Sequence, residues 1–252
     1  KVLHYAEEIF EGLKAYRTAD NKIQLFRPEC NGQRMQDSSE RMCIPTIPVE
    51  DFVQACTALV EVEKDWVPHT EGSSLYVRPF VIATDVGMGV HASHNYTFCI
   101  ICFPSGAYYA EGINPVRIYV EDEYIRAAPG LTGYAKCGGN YAASLLAGEK
   151  AAQKGFAQVL WLDGIEKKYV EEVGSMNIMF KIDGKIYTAA CEGTVLPGVT
   201  RRSIIELLRD WGYEVIEGKL AIETIMQAGH EGKLEEVFDF PVTVSTQAKA
   251  DG

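Results

Sequence analysis

The stretch Gly133-Tyr134-Ala135-Lys136-Cys137-Gly138-Gly139-Asn140-Tyr141 decides how the rest of the chain is interpreted, because it places a lysine among small residues just before a helix-forming run. Glycines let a backbone lie against a bulky ligand where a Cβ would be in the way. An amine that is held away from water favours its neutral form, because desolvation penalises the charged form. A neutral amine can attack a carbonyl and form a Schiff base. A solvated surface lysine is the alternative.

Two other residue types complete the chemistry that this lysine suggests. Tyr141 follows five positions later, and Glu172 opens the run Glu172–Asn177 (EVGSMN). An imine-forming amine, a partner for a ring hydroxyl and a carboxylate that keeps a pyridine nitrogen protonated are the groups that pyridoxal phosphate requires, because its protonated ring is the electron sink. The sequence therefore favours a pyridoxal phosphate site that includes Lys136.

Three motifs carry a resemblance to a known family. The runs Lys136–Tyr141 (KCGGNY), Glu172–Asn177 and Leu196–Arg201 (LPGVTR) resemble, in this order, the motifs of branched-chain amino acid aminotransferases, which are pyridoxal phosphate enzymes of fold type IV. The resemblance extends from Leu3 to Phe238. It implies an α+β or α/β fold with two domains, of the D-amino acid aminotransferase-like type. The N-terminal α/β domain would be small and the C-terminal domain larger and rich in β-strands. It also implies a homodimer.

The resemblance assigns the cofactor-binding residues. It implies that Lys136 is the catalytic residue, that Glu172 lies at the ring nitrogen and that Tyr141 lies at the ring oxygen. Physical reasons support a phosphate site before the helix at 201–210, because a glycine-containing turn that leads into a helix presents free N–H groups and a positive dipole end. An arginine fork also suits phosphate. The expected cofactor-binding residues are Arg34, Lys136, Tyr141, Glu172, Ser175, Val199 and Thr200.

An arginine among apolar residues indicates the substrate site. Arg78 lies in the alternating run Leu75–Ile82, which is typical of a strand, and we expect it to meet an anion because burying an unpaired guanidinium is costly. In the family, the matching arginine helps to receive the distal carboxylate of glutamate. The loop Asp85–Val90 resembles one that reaches into the partner subunit's pocket. The resemblance implies these substrate-binding residues: Tyr5, Phe10, Tyr76, Arg78, Val90 and Tyr108.

The implied reaction is the reversible transfer of an amino group between L-leucine, L-isoleucine or L-valine and 2-oxoglutarate. Two alternatives stay open at this point. One is a D-amino acid aminotransferase or an aminodeoxychorismate lyase of the same fold. The other is a truncated chain that binds without turnover, because Asp239–Thr246 departs from the Gly-Thr-Ala type loop of the family.

Charge and cysteine content limit the partners. The formal net charge is −11 and no basic run is present, which argues against nucleic acid and against an anionic membrane. The seven cysteines are scattered, which is typical of reduced thiols in a cytoplasmic protein. No metal-ligand spacing, signal peptide or membrane-spanning run is visible. We expect small-molecule partners: branched-chain amino acids, 2-oxo acids and glutamate.

The domain organisation follows from a glycine- and proline-containing stretch near the middle of the chain. We predict an N-terminal domain at residues 1–126, a linker at 127–133 and a cofactor-binding C-terminal domain at 134–252. Compared with the family, the first domain lacks an N-terminal segment and the last is truncated or diverged.

Local patterns predict the elements of both domains. The first domain is expected to begin with two strands, Leu3 to Arg17 and Lys22 to Arg27, and two helices, Pro28 to Met42 and Pro48 to Val62. The second is expected to contain a helix from Tyr141 to Lys154, a helix from Arg201 to Asp210 and a hairpin turned by Asp183-Gly184.

Overall fold

The computed structural model describes residues 1–106 and 115–235, and these residues form two units. The first unit contains residues 1–106 together with Ala135–Cys137, and the second contains residues 115–134 and 138–235. The chain therefore enters the second unit, returns to the first for three residues that include Lys136, and then completes the second.

The first unit is built on an antiparallel sheet of five strands. Its long central strand is β4, to which the other strands are added on both sides. Strand β5 pairs along the whole of β4, while β1 and β2 pair with its two halves and β3 pairs with β2. The bounds are β1 (Glu8–Phe10), β2 (Leu13–Arg17), β3 (Ile23–Leu25), β4 (Ser74–Ala83) and β5 (Tyr96–Ser105).

The prediction of one strand from Leu3 to Arg17 is wrong. The chain instead forms a short helix, α1 (Val2–Tyr5), and then strands β1 and β2, which are separated by Glu11 and Gly12. The Glu11 side chain is completely buried at this break. A Cβ at Gly12 would overlap the hydroxyl of Tyr76, so the chain needs glycine here.

Two helices cover the sheet of the first unit. They are α2 (Pro28–Arg41), which has its proline at the first helical position, and α3 (Val49–Val62), and both agree with the sequence prediction to within one residue. A single 3₁₀ turn at Lys64–Trp66 follows. The buried core between these layers consists of Ile9, Leu13, Ala15, Met35, Ile44, Phe52, Cys56, Val60, Val67, Leu75, Val77, Val81, Ala135 and Cys137.

The second unit contains two mixed sheets of four strands each. In the first, β6 and β7 are parallel and β8 and β9 continue antiparallel in the order β6-β7-β8-β9. In the second, the order is β12-β11-β10-β13. The bounds are β6 (Ile118–Glu121), β7 (Gln158–Leu162), β8 (Val170–Val173), β9 (Met176–Asn177), β10 (Met179–Ile182), β11 (Lys185–Thr188), β12 (Val215–Glu217) and β13 (Leu234–Glu235).

Four helices accompany these sheets: α4 (Gly138–Ala142), α5 (Leu145–Gln153), α6 (Val199–Asp210) and α7 (Ile222–His230). The predicted single helix from Tyr141 to Lys154 is thus two helices. The Ser144 hydroxyl donates a hydrogen bond to the Tyr141 carbonyl at 2.7 Å, and such a local bond competes with the helical ladder at the break. The predicted hairpin turn is confirmed, since Asp183 and Gly184 both have positive φ between β10 and β11.

The observed division of the chain differs from the predicted boundaries at residues 126 and 133. Strand β6, which the sequence places in the first domain, pairs in parallel with β7 of the second unit. The residues predicted as a linker also belong to the second unit, whereas Ala135–Cys137 belong to the first. Parallel pairing joins segments that are far apart in sequence, so local patterns do not reveal it.

Both units combine helices with sheets, antiparallel in the first and mixed in the second, which gives the α+β architecture that the sequence predicts. Within residues 1–106 and 115–235, no helix has the length and apolar character needed to cross a bilayer.

The core of the first unit generates a stability prediction. Phe52 on α3 is 1% exposed, so Phe52→Ala removes a large buried ring and should lower the free energy of unfolding by about 3–5 kcal/mol. Val62→Ala on the same helix is the control, because Val62 is 77% exposed and its truncation should change stability by no more than about 0.5 kcal/mol. Urea unfolding of both variants measures the difference, and equal midpoints would contradict this assignment of the core.

Candidate active site

The backbone of Lys136 is fixed within the first unit. Its neighbours Ala135 and Cys137 are 1% and 2% exposed and pack in the core. The Lys136 N–H donates to the Ser38 hydroxyl on α2 at 2.9 Å, and its carbonyl accepts from the Phe10 N–H at the end of β1 at 3.0 Å. Two buried neighbours and two hydrogen bonds therefore hold the lysine between α2 and β1.

The Lys136 side chain lies beside an aromatic ring that also contacts Arg78. The Lys136 Nζ is 4.7 Å from the centroid of the Phe10 ring, and the Arg78 Cζ is 4.6 Å from the same centroid. Both distances are within the range of a cation–π interaction. The structure thus brings together three of the predicted site residues, which are separated by up to 126 positions in the chain.

A second aromatic residue completes this cluster. Arg78 Nη2 donates to the Tyr76 hydroxyl at 2.7 Å, and Tyr76 packs against Phe103 with ring centroids 5.1 Å apart. Within the described residues, the buried Nε of Arg78 has no hydrogen-bond acceptor. The cluster therefore combines apolar rings with a cation that retains donor capacity, which suits a ligand that has an apolar part and a carboxylate.

Arg34 forms a buried ion pair. Its Nε lies 2.7 Å from Glu11 Oε1 and its Nη2 lies 2.8 Å from Glu11 Oε2. Asn31 and the Gly12 N–H also donate to Oε2 of this carboxylate. No sequence pattern predicts a role for Glu11, and in the structure its carboxylate binds the Arg34 guanidinium and fixes its orientation. Phosphate binding by Arg34 stays a prediction.

The remaining substrate residues are more exposed or lie outside the described residues. Tyr5 is 41% exposed and donates its hydroxyl to the Met88 carbonyl at 2.5 Å, so it contacts the loop that follows β4. Val90 in that loop is 82% exposed. Tyr108 is outside the residues that the structure describes.

Glu172 is the most deeply buried of the predicted site residues in the second unit. It lies on β8, is 2% exposed, and has a charged and two neutral partners. The Arg126 Nε is 2.5 Å from Oε2, while the Asn177 amide and the Leu196 N–H donate to Oε1 at 2.9 and 3.3 Å. A buried carboxylate with this set of donors is favoured in its ionised form.

Sequence reasoning missed Arg126, although a signal was present. This arginine stands in the run Tyr124-Ile125-Arg126-Ala127-Ala128, where its neighbours are mostly apolar, as are those of Arg78. Its side chain is 7% exposed, and besides Glu172 it donates to the carbonyls of Thr194 and Gly133 at 2.8 and 3.2 Å. The rule that a buried guanidinium must meet an anion, applied here as it was to Arg78, would have identified it.

The carboxylate next to Glu172 has a different environment. Glu171 is 8% exposed and accepts a hydrogen bond from the Thr194 hydroxyl at 2.5 Å. Burial raises the pKa of Glu171, and the Thr194 hydroxyl and the charge of Arg126 oppose this only in part. Adjacent side chains on a strand point to opposite sides, so the two acids have unlike surroundings.

The start of α6 is suited to an anion. The first intrahelical bond runs from the Arg202 N–H to the Gly198 carbonyl at 3.0 Å, so the amides of Val199 and Thr200 precede the ladder. No side chain caps this helix. A Cβ at Gly198 would overlap the Asn177 side chain, which explains the glycine. Val199 is buried, whereas Thr200 and Ser175 are exposed.

Tyr141 lies on α4, and the side chain of the preceding residue, Asn140, holds the start of this helix. The side chain of Asn140 is 8% exposed, accepts from the Thr132 hydroxyl and donates to the Thr132 carbonyl, each at 2.8 Å. Tyr141 itself is half-buried. Both bonds lie within the second unit, so the start of α4 is tied to the segment that precedes Lys136.

Comparison with known proteins identifies the family. The profile of the family described as amino-transferase class IV matches residues 8–230. The chain is 55% identical over 237 residues to branched-chain-amino-acid aminotransferase 2 of Bacillus subtilis (strain 168), covering 94% of this chain and 65% of that protein. It is 56% identical over 238 residues to branched-chain-amino-acid transaminase 1 of the same organism, covering 94% and 67%. The chain therefore belongs to the class IV aminotransferase family, and it spans about two thirds of the length of these relatives.

Solved structures agree with this assignment. The branched-chain amino acid aminotransferase of Escherichia coli is 31% identical, with a TM-score of 0.76 over 88% of this chain and 72% of that chain. A second branched-chain amino acid aminotransferase, solved with pyridoxamine 5′-phosphate and of the source abbreviated T.th., is 29% identical with a TM-score of 0.76, covering 88% and 71%. The fold is that of a fold-type IV aminotransferase, as the sequence predicts.

The Glu11–Arg34 pair generates a prediction about stability. Glu11→Gln keeps the shape of the side chain but leaves the buried guanidinium without its counter-charge, and should cost about 3–5 kcal/mol of unfolding free energy. Glu61→Gln is the control, because the Glu61–Lys64 pair is exposed and its loss should change the stability far less. Denaturant unfolding measures both, and equal losses would contradict a stabilising role for the buried pair.

A second prediction concerns the loop between β7 and β8, which leads to Glu171 and Glu172. The carboxylate of Asp163 accepts from the backbone N–H groups of Ile165, Glu166, Lys168 and Tyr169. Partial burial raises its pKa, but these four N–H donors outweigh it and bring the pKa to about 2, below the ordinary 3.8.

Because the folded-state pKa is depressed, the stability from Asp163 should be fully present above pH 3.8 and be lost as the pH falls toward 2. Asp163→Asn should therefore be less stable than the parent at pH 6, and the difference should shrink on acidification. Urea midpoints between pH 2 and pH 6 test this, with exposed Asp122→Asn as the control. A difference that is constant with pH would contradict it.

Proposed function

We propose that this chain is a pyridoxal phosphate-dependent branched-chain amino acid transaminase, which transfers the amino group of L-leucine, L-isoleucine or L-valine to 2-oxoglutarate. The observation that carries the proposal is the cluster at Phe10, where the Lys136 amine and the Arg78 guanidinium lie against one ring. The similarity to two Bacillus subtilis proteins named as branched-chain enzymes supports it over the D-amino acid aminotransferase and lyase alternatives.

The residues present fit pyridoxal phosphate. Lys136 offers an amine on a fixed backbone, Glu172 offers a buried carboxylate, and the uncapped amides of Val199 and Thr200 offer donors for a phosphate group. Gly198 leaves no side chain at this turn. The bound cofactor supplies an electron sink that stabilises negative charge at the substrate Cα.

Each proposed role is one that the side chain can perform. Lys136 would hold the cofactor through its aldehyde carbon, and its amine, when free, would carry a proton to or from the substrate Cα. Glu172 holds the ring nitrogen in its protonated form, because Arg126 and two neutral donors favour its carboxylate. Tyr141 hydrogen-bonds the ring oxygen. Arg34, Ser175, Val199 and Thr200 complete the phosphate-binding set.

The substrate-binding residues explain why one pocket accepts two kinds of substrate. The rings of Phe10 and Tyr76 provide an apolar surface for a branched side chain, and Arg78 provides a cation for the distal carboxylate of glutamate. We propose Tyr5, Val90 and Tyr108 as further substrate contacts.

Two wider features belong to the same proposal. The enzyme is proposed to act in the cytoplasm, in accord with the scattered cysteines. It is also proposed to form a homodimer, by analogy with a family in which both subunits contribute to each pocket.

Lysine replacement tests the proposed function. Lys136→Ala should abolish transamination from L-leucine to 2-oxoglutarate, because no other residue is assigned to bind the cofactor aldehyde. Lys150→Ala is the matched control, since its Nζ also lies over an aromatic ring, 4.5 Å from the Tyr124 centroid, but has no assigned role. It should retain activity within about twofold. Steady-state turnover by Lys136→Ala would refute the assignment.

Covalent labelling separates binding from turnover. Borohydride treatment of the protein loaded with pyridoxal phosphate should add the cofactor mass to the peptide that contains Lys136, as mass spectrometry would show. L-Leucine and D-alanine are then compared as amino donors. Label without turnover of either donor would support the non-catalytic alternative, and turnover of D-alanine in preference to L-leucine would support a D-amino acid aminotransferase.

A further inference from the structure

Arg126 is the charged partner of the carboxylate that is proposed to hold the cofactor's ring nitrogen. The Arg126 Nε lies 2.5 Å from Glu172 Oε2, and the two side chains are 7% and 2% exposed. At this burial an ion pair is weakly screened by solvent and salt. The charge of Arg126 therefore acts on Glu172 with little loss to the solvent.

The orientation of this guanidinium is fixed from two other directions. Its Nη1 donates to the Thr194 carbonyl at 2.8 Å and its Nη2 donates to the Gly133 carbonyl at 3.2 Å. Glu172 is fixed in turn, because the Asn177 amide and the Leu196 N–H hold its other oxygen. The planar fork thus directs its Nε at Glu172 while its Nη atoms bind the two carbonyl groups.

The other titratable groups around Glu172 do not replace Arg126. Glu171, its neighbour on β8, is itself an acid, and burial raises its pKa. Cys191, whose thiol is near the charges of Glu172 and Arg201, is exposed and supplies no positive charge. Arg201 is paired with Glu217 at 2.8 Å. Arg126 is a cation in direct contact with Glu172, with 2.5 Å between its Nε and Oε2.

We infer that Arg126 is a positioning residue for Glu172, which keeps this carboxylate ionised and directed so that it can accept a hydrogen bond from a protonated pyridine nitrogen. The inference rests on the proposed function, because it concerns the same cofactor. Arg126 itself is assigned no contact with the substrate or the cofactor.

Replacing Arg126 by an uncharged residue should change the protonation of the cofactor's ring nitrogen rather than the binding of the cofactor. Without Arg126, burial favours the protonated form of Glu172, which accepts a proton less readily from the ring. The ring nitrogen should then lose its proton at a lower pH, which changes the absorption band of the bound cofactor. Lysine at this position retains a positive charge but lacks the planar fork, so Arg126→Lys should show a smaller effect than Arg126→Met.

The test is a double-mutant cycle of Arg126→Met, Glu172→Gln and the double variant, each loaded with pyridoxal phosphate. The double variant removes both charges, so it leaves no unpaired buried ion and should fold even if Arg126→Met alone does not. Arg201→Lys is the matched control, because Arg201 is equally buried and likewise combines an ion pair with a carbonyl contact. The readouts are borohydride fixation at Lys136, the absorption band as a function of pH, and kcat and KM for L-leucine.

We expect Arg126→Met to lower kcat by about tenfold or more, with KM changed by less than about threefold, and to move the spectral transition by about one pH unit or more. Arg201→Lys should leave the transition in place. Adding Arg126→Met to Glu172→Gln should have little further effect on the spectrum, because the carboxylate is already absent.

Three results would overturn the inference. A spectral transition and kcat for Arg126→Met that match the parent would show that Arg126 does not act on Glu172. Additive effects in the cycle would show a structural role only. Equal shifts in Arg126→Met and Arg201→Lys would show a general loss of stability. Failure of the parent protein to fix cofactor at Lys136 is a different outcome, which refutes the proposed function and with it this inference.

Discussion

In each unit a glutamate with almost no solvent exposure is held by an arginine, and these two ion pairs support irregular parts of the chain that carry predicted site residues. The Glu11–Arg34 pair links α2 to the break between β1 and β2, and the Glu172–Arg126 pair links β8 to the segment before Lys136. A buried carboxylate without its cation is strongly unfavourable, so each pair fixes two segments relative to each other. The strands around them are short, and the pairs provide rigidity that the ladders alone do not.

The position of Lys136 follows from a different kind of constraint. Apolar packing of Ala135 and Cys137 holds the chain on both sides of the lysine, and the hydrogen bonds to Ser38 and Phe10 occupy its backbone. The backbone on both sides of the Lys136 side chain is thus as well buried as a core strand. Such support limits the directions in which the amine can move, which favours precise chemistry over adaptability.

Local signals were sufficient to predict several elements of the fold. The proline that opens α2, the apolar spacing of α3 and the turn at Asp183-Gly184 act over a few residues, and the structure agrees with each. The break at Glu11-Gly12 was not predictable in this way. Its cause lies in partners distant in sequence, Arg34 and Tyr76, and no local pattern indicates them.

The same distinction applies to the site. Motif order predicts Lys136 and Glu172 as site residues, but spacing alone does not place Arg78 and Lys136 on one ring, because they belong to segments 58 positions apart. Arg126 was missed because it precedes a stretch that resembles a linker, where side chains are expected to face solvent. Its burial depends on carbonyl groups of Gly133 and Thr194, which only the folded chain brings near.

Ala135–Cys137 belong to the first unit although the residues on both sides of them belong to the second, and this limits how the gene can be divided. Neither unit corresponds to one uninterrupted segment, since Ala135–Cys137 lie in the middle of the second unit's sequence. Recombination that exchanged the codons for residues 1–106 as a block would therefore separate the sheet from the tripeptide that fills part of its core. The two units have to be inherited together, and divergence in the first must stay compatible with three residues that are encoded within the second.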